Sequence, residues 1–285
     1  AHTSKLAIKL GVKCELICVE NMVYYPQAPS PFKKLVDAYL KQQKATLVKI
    51  AKSFKPTCNA HFIIGEPVKE ILSLLGKRNK FEMIVLGTHG LTGVNRIFLG
   101  SVAEEIIRRA RIPVMVIGPK VQAPSETALE KTSLKILIPT TLGPNSLRAE
   151  TYGAELAKRL NAEVILFHNM RDALPPLLQT AFANPHSIPA ICDYFEETRE
   201  SLLKQLRRKS EKIKKSGVNI SYKLDSDTSS ATESILKEVS TSGCSMLVMG
   251  THGRSLVSGF FLGRTARDLI LQSPVPVITL HSKKS

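Results

Sequence analysis

The feature that most constrains the fold of this chain is a glycine-rich stretch that occurs twice. Residues 87–101 read GTHGLTGVNRIFLGS and residues 250–265 read GTHGRSLVSGFFLGRT, with eight of the first fourteen positions identical. Three further matches keep the same order in both halves: residues 6–22 with 156–170, FEMIVLG with CSMLVMG, and ARIPVMVIGP with QSPVPVITLH. Four matches in one order indicate a duplicated domain. Two domains also suit a chain of 285 residues.

The matches predict a first domain at residues 1–120, a linker at 121–133 and a second domain at 134–285. The offset between matched residues rises from 148 at Asn21 and Asn169 to 163 at Gly87 and Gly250. The second copy therefore carries an insertion. We expect it to be a loop at residues 174–190, LPPLLQTAFANPHSIPA.

The second copy alternates strand-like and helix-like patterns. Its short apolar runs are KILIP, EVILFHN, VNISYKL, SMLVMG and VPVITL, with helical patterns between them. Strict alternation predicts parallel strands joined by crossover helices. The apolar run in KILIP and that in SMLVMG do not alternate, which is typical of strands buried on both faces. We therefore predict an α/β fold of two doubly wound, five-stranded parallel-sheet domains.

The first copy opens only five residues before Leu6, whereas about 22 residues precede the matching Leu156 within the second domain. No counterpart of the strand KILIP stands in that short segment. We expect the first domain to lack its first strand here because the segment that carries the strand is missing from the sequence, with an incomplete first domain as the alternative.

Composition and net charge limit the classes of protein to which this chain could belong. No apolar run approaches the length of a membrane span and no signal peptide is recognisable, so we expect a cytoplasmic protein. The net charge of +16 would attract anionic partners such as nucleic acids. However, the cations concentrate at 33–55 and 199–215, where they alternate with apolar residues at helical spacing. That pattern favours solvated helix faces, with an anionic partner as the second interpretation.

The cysteines favour neither a disulfide framework nor a metal site. Their number is odd, no CxxC pair occurs, and no His or Asp stands at metal-ligand spacing. We interpret them as reduced thiols, mostly facing the core, and consider a redox pair of Cys14 and Cys18 the less favoured reading. The five positions are Cys14, Cys18, Cys58, Cys192 and Cys244.

Each glycine stretch follows an apolar run that ends at Gly87 or Gly250 and leads into a helical pattern. Ligands of open parallel sheets bind at the carboxyl ends of strands. Glycines allow positive φ and close approach of the backbone, and a helix N-terminus favours an anion. These features predict a phosphate cradle, with simple tight turns as the alternative. The P-loop pattern GxxxxGK[ST] is absent, and a dinucleotide fingerprint would follow the first strand with different spacing.

The spacing Gly87-x2-Gly90-x9-Gly100-Ser101, followed by the Pro-Val strand at Pro113, resembles the nucleotide-binding signature of the universal stress protein family. The resemblance spans nearly the whole chain as two tandem domains. It implies the strand order 3-2-1-4-5 and binding of ATP or a related adenine nucleotide such as ADP or AMP. It also implies a role in stress response and pairing through the last strand, within the chain or as a homodimer. Within the chain, PVMVIG at 113–118 would pair with PVPVITL at 274–280 and so cover two open edges. A divalent metal such as Mg²⁺ is a candidate companion of the phosphates.

The resemblance assigns roles to residues of the first copy. Gly87 and Gly90 would lie against ribose and phosphates, and His89 between them would shape the turn or touch the ribose. Gly100, Ser101 and the backbone N–H of Val102 would hold the phosphates. Asn21, and Asn169 in the second copy, end the second strands, where the family contacts adenine through the backbone.

The second copy departs from the signature. Its spacing Gly250-x2-Gly253-x9-Gly263 is intact, but Arg264 stands where Ser or Thr is expected, with Thr265 one place later. Arg264 would either grip a phosphate or fill the cradle. Thr141 occupies the position of an acidic residue that contacts the adenosine part in the family. We therefore expect nucleotide binding mainly in the first domain and a degenerate second site.

Catalysis is not indicated. No carboxylate stands where it plainly orients His89 or His252, no nucleophile or metal-ligand set accompanies them, and no SGGxD-type loop occurs. We predict a nucleotide-binding regulator with, at most, slow ATP hydrolysis. The alternative is a scaffold or ligand carrier of the same fold that binds no nucleotide, motivated by Arg264, Thr141 and the missing strand. An ATP-using hydrolase of related fold is a third hypothesis.

Overall fold

The computed structural model describes residues 2–21, 30–55, 57–78, 81–88, 98–122, 133–173, 189–226, 230–251 and 262–281. Within these ranges the chain forms eight α-helices and nine β-strands. They divide into two compact units, Ala1–Phe81 and Glu82–Ser285. Among the helices of the described ranges, none combines the length and apolarity that a bilayer crossing requires.

The first unit contains two parallel strands and three helices. Strands β1 and β2 pair in register from Cys14 with Cys58 to Glu20 with Ile64. Leu47 and Ala51, one turn apart on α2, are buried, as an amphipathic helix requires. The elements are α1 (His2–Leu10), β1 (Cys14–Glu20), α2 (Ser30–Ser53), β2 (Cys58–Ile64) and α3 (Pro67–Arg78).

The second unit is built on one seven-stranded sheet in the order β3-β4-β9-β8-β5-β6-β7. A single 3₁₀ turn, Met170–Ala173, follows β6. The strands are β3 (Ile84–Gly87), β4 (Val114–Ile117), β5 (Lys135–Pro139), β6 (Glu163–Asn169), β7 (Ile220–Asp225), β8 (Met246–Gly250) and β9 (Val277–Leu280). The helices are α4 (Ser101–Arg109), α5 (Pro144–Leu160), α6 (Pro189–Lys214), α7 (Ala231–Ser242) and α8 (Arg264–Gln272).

The second copy has the predicted topology. Its strands, numbered within the copy, run third, second, first, fourth, fifth across the sheet, and every neighbouring pair among them is parallel. Ile136, Leu137 and Ile138 on β5 are fully buried, as are Leu247 and Val248 on β8. These strands are covered on both faces, as their unalternating sequence predicted. The order 3-2-1-4-5 and the α/β class are thus confirmed.

The first copy contributes four strands in the described residues where the second contributes five. In the second copy the first strand, β5, pairs with both β6 and β8. No described strand takes this central place in the first copy, whose strands pair with one another only as β1 with β2 and β3 with β4. The division into compact units consequently falls between β2 and β3.

Two predicted segments fall largely outside the described residues. Residues 123–132 of the predicted linker are not described, so the boundaries 1–120 and 134–285 stay predictions. The predicted insertion loop at 174–190 is described only at its last two residues, which open α6.

The last strands of the two copies pair with each other. Strands β4 and β9 are antiparallel, with Val114 opposite Thr279, Met115 opposite Ile278 and Val116 opposite Val277. All six residues are at most 2% exposed. The predicted pairing of 113–118 with 274–280 is confirmed, and neither strand presents an open edge at this junction.

Candidate functional site

The glycine stretches begin at the carboxyl ends of two strands of the second unit. Strand β3 ends at Gly87 and is followed by Thr88, which is 3% exposed. Strand β8 ends at Gly250 and is followed by Thr251, which is 1% exposed. The loop interiors, residues 89–97 and 252–261, lie outside the described residues, and with them the predicted site residues His89, Gly90 and Gly253.

Each loop returns to its own start through the same hydrogen bond. The Gly100 N–H donates to the Thr88 carbonyl oxygen at 2.9 Å, and the Gly263 N–H donates to the Thr251 carbonyl oxygen at 2.9 Å. We call these two bonds the loop clamps. They bring Gly100 close to the end of β3 and Gly263 close to the end of β8. Sequence reasoning missed Thr88 and Thr251, because a backbone acceptor leaves no signature in the residue type.

The clamp explains why residue 100 is glycine. Gly100 has φ −61° and ψ 144°, an extended conformation that any residue adopts. A β-carbon at this position would lie 2.9 Å from the Thr88 carbonyl oxygen, too close for an unperturbed contact. The expected close approach of the backbone is therefore present here, whereas the expected positive φ is not.

Helices α4 and α8 begin directly after the clamps. Their N-cap residues are Gly100 and Gly263, and neither helix receives a side-chain cap hydrogen bond. The first N–H groups of an α-helix have no partner within the helix, and its dipole is positive at this end. Ser101 and Val102, which open α4, are both exposed. The N-terminus of α4 is thus suited to an anion.

The charge nearest this N-terminus is compensated. Glu104 lies in the first turn of α4, where a carboxylate would oppose a second anion. Its Oε1 atom lies 2.5 Å from Nη2 of Arg267 on α8. The ion pair offsets the negative charge of Glu104, so the N-terminus of α4 keeps its preference for an anion.

Arg264 opens α8, directly after the loop clamp of the second copy. Its side chain is 96% exposed, and its Nε lies 3.7 Å from Oδ2 of Asp268 one turn along α8. Both roles expected for this residue, gripping a phosphate and filling the cradle, stay predictions, because residues 252–261 of the loop lie outside the described residues. Thr265 follows it and is partly exposed.

Thr141 lies at the carboxyl end of β5, beside a buried polar network. Its hydroxyl donates to Ser146 Oγ at 3.4 Å. Ser146 in turn donates to Glu150 Oε1 at 2.9 Å, and Thr140 Oγ1 donates to the same carboxylate oxygen. Lys209 Nζ on α6 lies 2.6 Å from Glu150 Oε2. We call Thr140, Ser146, Glu150 and Lys209 the Glu150 network.

The Glu150 network fixes the turn that carries Thr141. Thr140 Oγ1 accepts from the Leu142 N–H at 2.9 Å, and Leu142 adopts φ 62°. Sequence reasoning missed Glu150 and Lys209, which lie on different helices and are 59 residues apart. A serine at 146 followed one turn later by glutamate was the available signal, but such a pair is more often exposed.

Asn169 ends β6 and is 4% exposed. Its Nδ2 donates to Ser234 Oγ at 2.6 Å and to Asp225 Oδ2 at 3.3 Å, which ties β6 to β7 and α7. Its side chain therefore has a structural role. Asn21 directly follows β1, the equivalent strand of the first unit, and is exposed.

Four of the described thiols are poorly suited to redox chemistry at neutral pH. Burial raises the pKa of the Cys14, Cys18, Cys58 and Cys244 thiols above their ordinary value. A protonated thiol is a weak nucleophile. Across the described ranges, no group of three or more His, Cys, Asp or Glu side chains is placed to hold a metal ion.

Comparison with known proteins adds an independent line of evidence. A model described as the Universal stress protein family matches residues 1–118 and 133–281. Universal stress protein Rv2005c of Mycobacterium tuberculosis is 27% identical over 249 residues, which are 84% of this chain and 75% of that protein. Universal stress protein MJ0531 of Methanocaldococcus jannaschii is 41% identical over 69 residues, 24% of this chain and only 40% of that protein.

Solved structures agree on the fold. A universal stress protein from Archaeoglobus fulgidus superimposes with a TM-score of 0.66 at 19% identity, covering 98% of this chain and 92% of that chain. Another, from Pseudomonas aeruginosa, gives 0.52 at 16% identity over 98% of this chain and 87% of that chain. The strand order, the doubled glycine loops and a family match that covers both copies lead to one conclusion: this chain belongs to the universal stress protein family.

Proposed function

We propose that this protein binds an adenine nucleotide, ATP before ADP or AMP, at the first glycine loop and acts as a cytoplasmic stress-response regulator. Two tandem domains, residues 1–120 and 134–285, would respond together to occupancy of that loop. The observation that carries the proposal is the exposed Ser101 at the uncapped N-terminus of α4, directly after the loop clamp at Gly100.

The geometry supports a phosphate as the group bound at α4. Backbone N–H groups at an uncapped N-terminus are anion donors, and Ser101 adds an exposed hydroxyl at the first helical position. Gly100 has no side chain that would cover them. Because Glu104 is paired with Arg267, the nearest carboxylate does not oppose the ligand. A divalent ion such as Mg²⁺ would then arrive with the phosphates rather than on a protein site.

Three features support weaker binding in the second copy. Arg264 replaces the serine hydroxyl with a side chain that extends into solvent. Thr141 supplies no carboxylate to the adenosine part. The carboxylate of Glu150 is occupied by two hydroxyls and Lys209, so it does not substitute for the missing acid. We therefore assign the nucleotide to the first copy.

A reciprocal exchange tests the proposal. Ser101→Arg gives the first copy the residue of the second, and Arg264→Ser does the reverse. The full chain is purified, denatured, and its released nucleotide identified by chromatography and mass spectrometry. We expect about one adenine nucleotide per chain in the unmodified protein, loss in Ser101→Arg, and no loss in Arg264→Ser. Circular dichroism confirms that both variants are folded.

Two results would contradict the proposal. Equal release from the unmodified protein and Ser101→Arg would place the nucleotide elsewhere. No nucleotide in any sample, with no uptake of added ATP, would favour the second candidate function, a scaffold or ligand carrier of the same fold. The observation that favours that candidate is the engagement of Glu150 and the outward direction of Arg264, which leave one of two loops without its expected ligand contacts.

We further propose that the protein is not an enzyme beyond slow ATP hydrolysis. Among the described residues, the buried carboxylates of Glu150 and Glu238 are paired with lysines rather than placed beside a glycine loop. A turnover that exceeds background and falls in a His89→Ala variant would overturn this proposal.

A further inference from the structure

The pairing of β4 with β9 has a local two-fold symmetry. Met115 lies opposite Ile278, and these residues are 163 positions apart, the offset that also separates Gly87 from Gly250. Each strand therefore meets its own counterpart at that point. An axis through this pair relates the last strand and helix of one copy to those of the other, as in a dimer of identical subunits.

Residues close to such an axis face their own counterparts. Glu104 and Arg267 are also 163 positions apart, and they form the ion pair of 2.5 Å between α4 and α8. In a pairing of two first copies the same place would hold two glutamates. In a pairing of two second copies it would hold two arginines. Like charges at this distance are repulsive, and the side chains of Arg267 and Glu104 are only 46% and 24% exposed.

The close contact of Gly118 also distinguishes the first copy from the second. A β-carbon on Gly118, just after β4, would overlap the carbonyl oxygen of Ile270 on α8. The counterpart of Gly118 in the second copy is His281. In a pairing of two second copies, His281 would stand where Gly118 stands, against the same carbonyl. A pairing of two second copies would therefore not reproduce the contact that Gly118 makes with Ile270 here.

We infer that the β4–β9 interface is selective for unlike halves. The charge pair of Glu104 and Arg267 and the glycine at 118 favour a first copy against a second copy. They disfavour assembly through two identical last strands. The partner that fits the β9 surface is thus the β4 segment of this chain. This inference does not depend on nucleotide binding.

Charge reversal in the full chain tests the ion pair. The variants are Glu104→Arg, Arg267→Glu and the double reversal, and the measurement is amide hydrogen exchange of peptides covering β4 and β9. Each single reversal places two like charges at positions 104 and 267, as a pairing of two identical copies would. Exchange in β4 and β9 is therefore expected to accelerate about two- to fivefold. The double reversal restores opposite charges and is expected to return exchange close to that of the unmodified protein.

Matched controls separate the pair from general surface effects. Glu105 pairs within its own helix, with Arg108 at 3.1 Å and Arg109 at 3.5 Å. The effects of Glu105→Gln and Arg267→Gln should therefore add, whereas those of Glu104→Gln and Arg267→Gln should not. The double reversal would multiply the two single accelerations of exchange if Glu104 and Arg267 were not coupled. That result would show that their charges do not select the partner.

A second set of variants tests the steric argument. Gly118→Ala places a β-carbon against the Ile270 carbonyl and is expected to accelerate exchange in β4 and β9 at least about tenfold. Gly118→His, which copies the second half, is expected to do so at least as strongly. Gly76→Ala is the control, because a β-carbon there meets nothing within 4 Å. Unchanged exchange in both Gly118 variants would show that position 118 does not discriminate.

Discussion

The Glu150 network allows one stability prediction to be worked in detail. Glu150 is 3% exposed and accepts from two hydroxyls and one ammonium group. Removing one partner of a buried ion pair costs about 3–5 kcal/mol. Two features reduce that cost in Glu150→Ala. The side chain of Lys209 is 24% exposed and regains part of its hydration, and Ser146 Oγ keeps the Gly143 carbonyl at 2.9 Å.

We therefore expect Glu150→Ala to lower the free energy of opening of the second unit by about 3 kcal/mol. That corresponds to about 150-fold faster exchange of amides that exchange through this opening. Glu150→Gln keeps a side-chain oxygen for the two hydroxyls and loses the charge, so we expect about 1 kcal/mol. Hydrogen exchange resolved by peptide is the suitable assay, because a chain with two compact units is not expected to unfold in one transition.

Glu163→Ala is the control, since Glu163 pairs with Lys135 at 3.7 Å and both side chains are more than a third exposed. Its effect should stay below about 1 kcal/mol. Glu150→Ala and Glu163→Ala with equal effects would refute the reasoning, because the carboxylate of Glu150 would then behave as a solvated group. Peptides from the first unit serve as an internal reference in each sample.

Three further predictions concern packing and pH. Gly153→Ala would place a β-carbon against Ile138 Cδ1, so we expect a loss of about 1–3 kcal/mol, measured by exchange in β5 and α5. Backbone and side-chain hydrogen bonds from Ser230 lower the pKa of Glu233 below its ordinary value of 4.5. The stability it gives α7 is therefore present above that value and lost as pH falls below it, which Glu233→Gln should abolish in an acid titration. Burial raises the pKa of Tyr152 to about 12. Its ultraviolet titration should lag the other tyrosines, and its contribution to stability should be lost as pH rises from about 10 through 12.

The topology of the second copy could be predicted because its signals are local. Short apolar runs, such as residues 136–138 on β5, stand between helical patterns, and their order in the sheet follows once the family is recognised. The pairing of Val114–Ile117 with Val277–Leu280 was predictable because the family resemblance implies pairing through the last strand, which otherwise leaves an open edge.

The candidate site was only partly predictable. A glycine at position 100 is compatible with a positive φ and with a close approach of the backbone. The residue type alone does not show which of the two the fold requires. The contact with Thr88 that decides the matter depends on tertiary structure. The direction of the Arg264 side chain depends on its neighbour Asp268, and the charge of Glu150 is matched by a lysine on another helix. Each depends on packing that sequence periodicity does not specify.

The two glycine loops distinguish residues that the backbone packing requires from residues that would contact a ligand. The clamp is the same in both copies, at 2.9 Å in each, although Ser101 follows it in one and Arg264 in the other. Glycine at position 100 is therefore explained by backbone packing, and its presence is not by itself evidence of a nucleotide. A glycine variant would disturb the fold and the ligand at once. The residue after the clamp lies outside the packing contact and faces solvent in both copies. For this reason the exchange of Ser101 and Arg264, and not a substitution of Gly100, is the change that separates nucleotide binding from the stability of the loop.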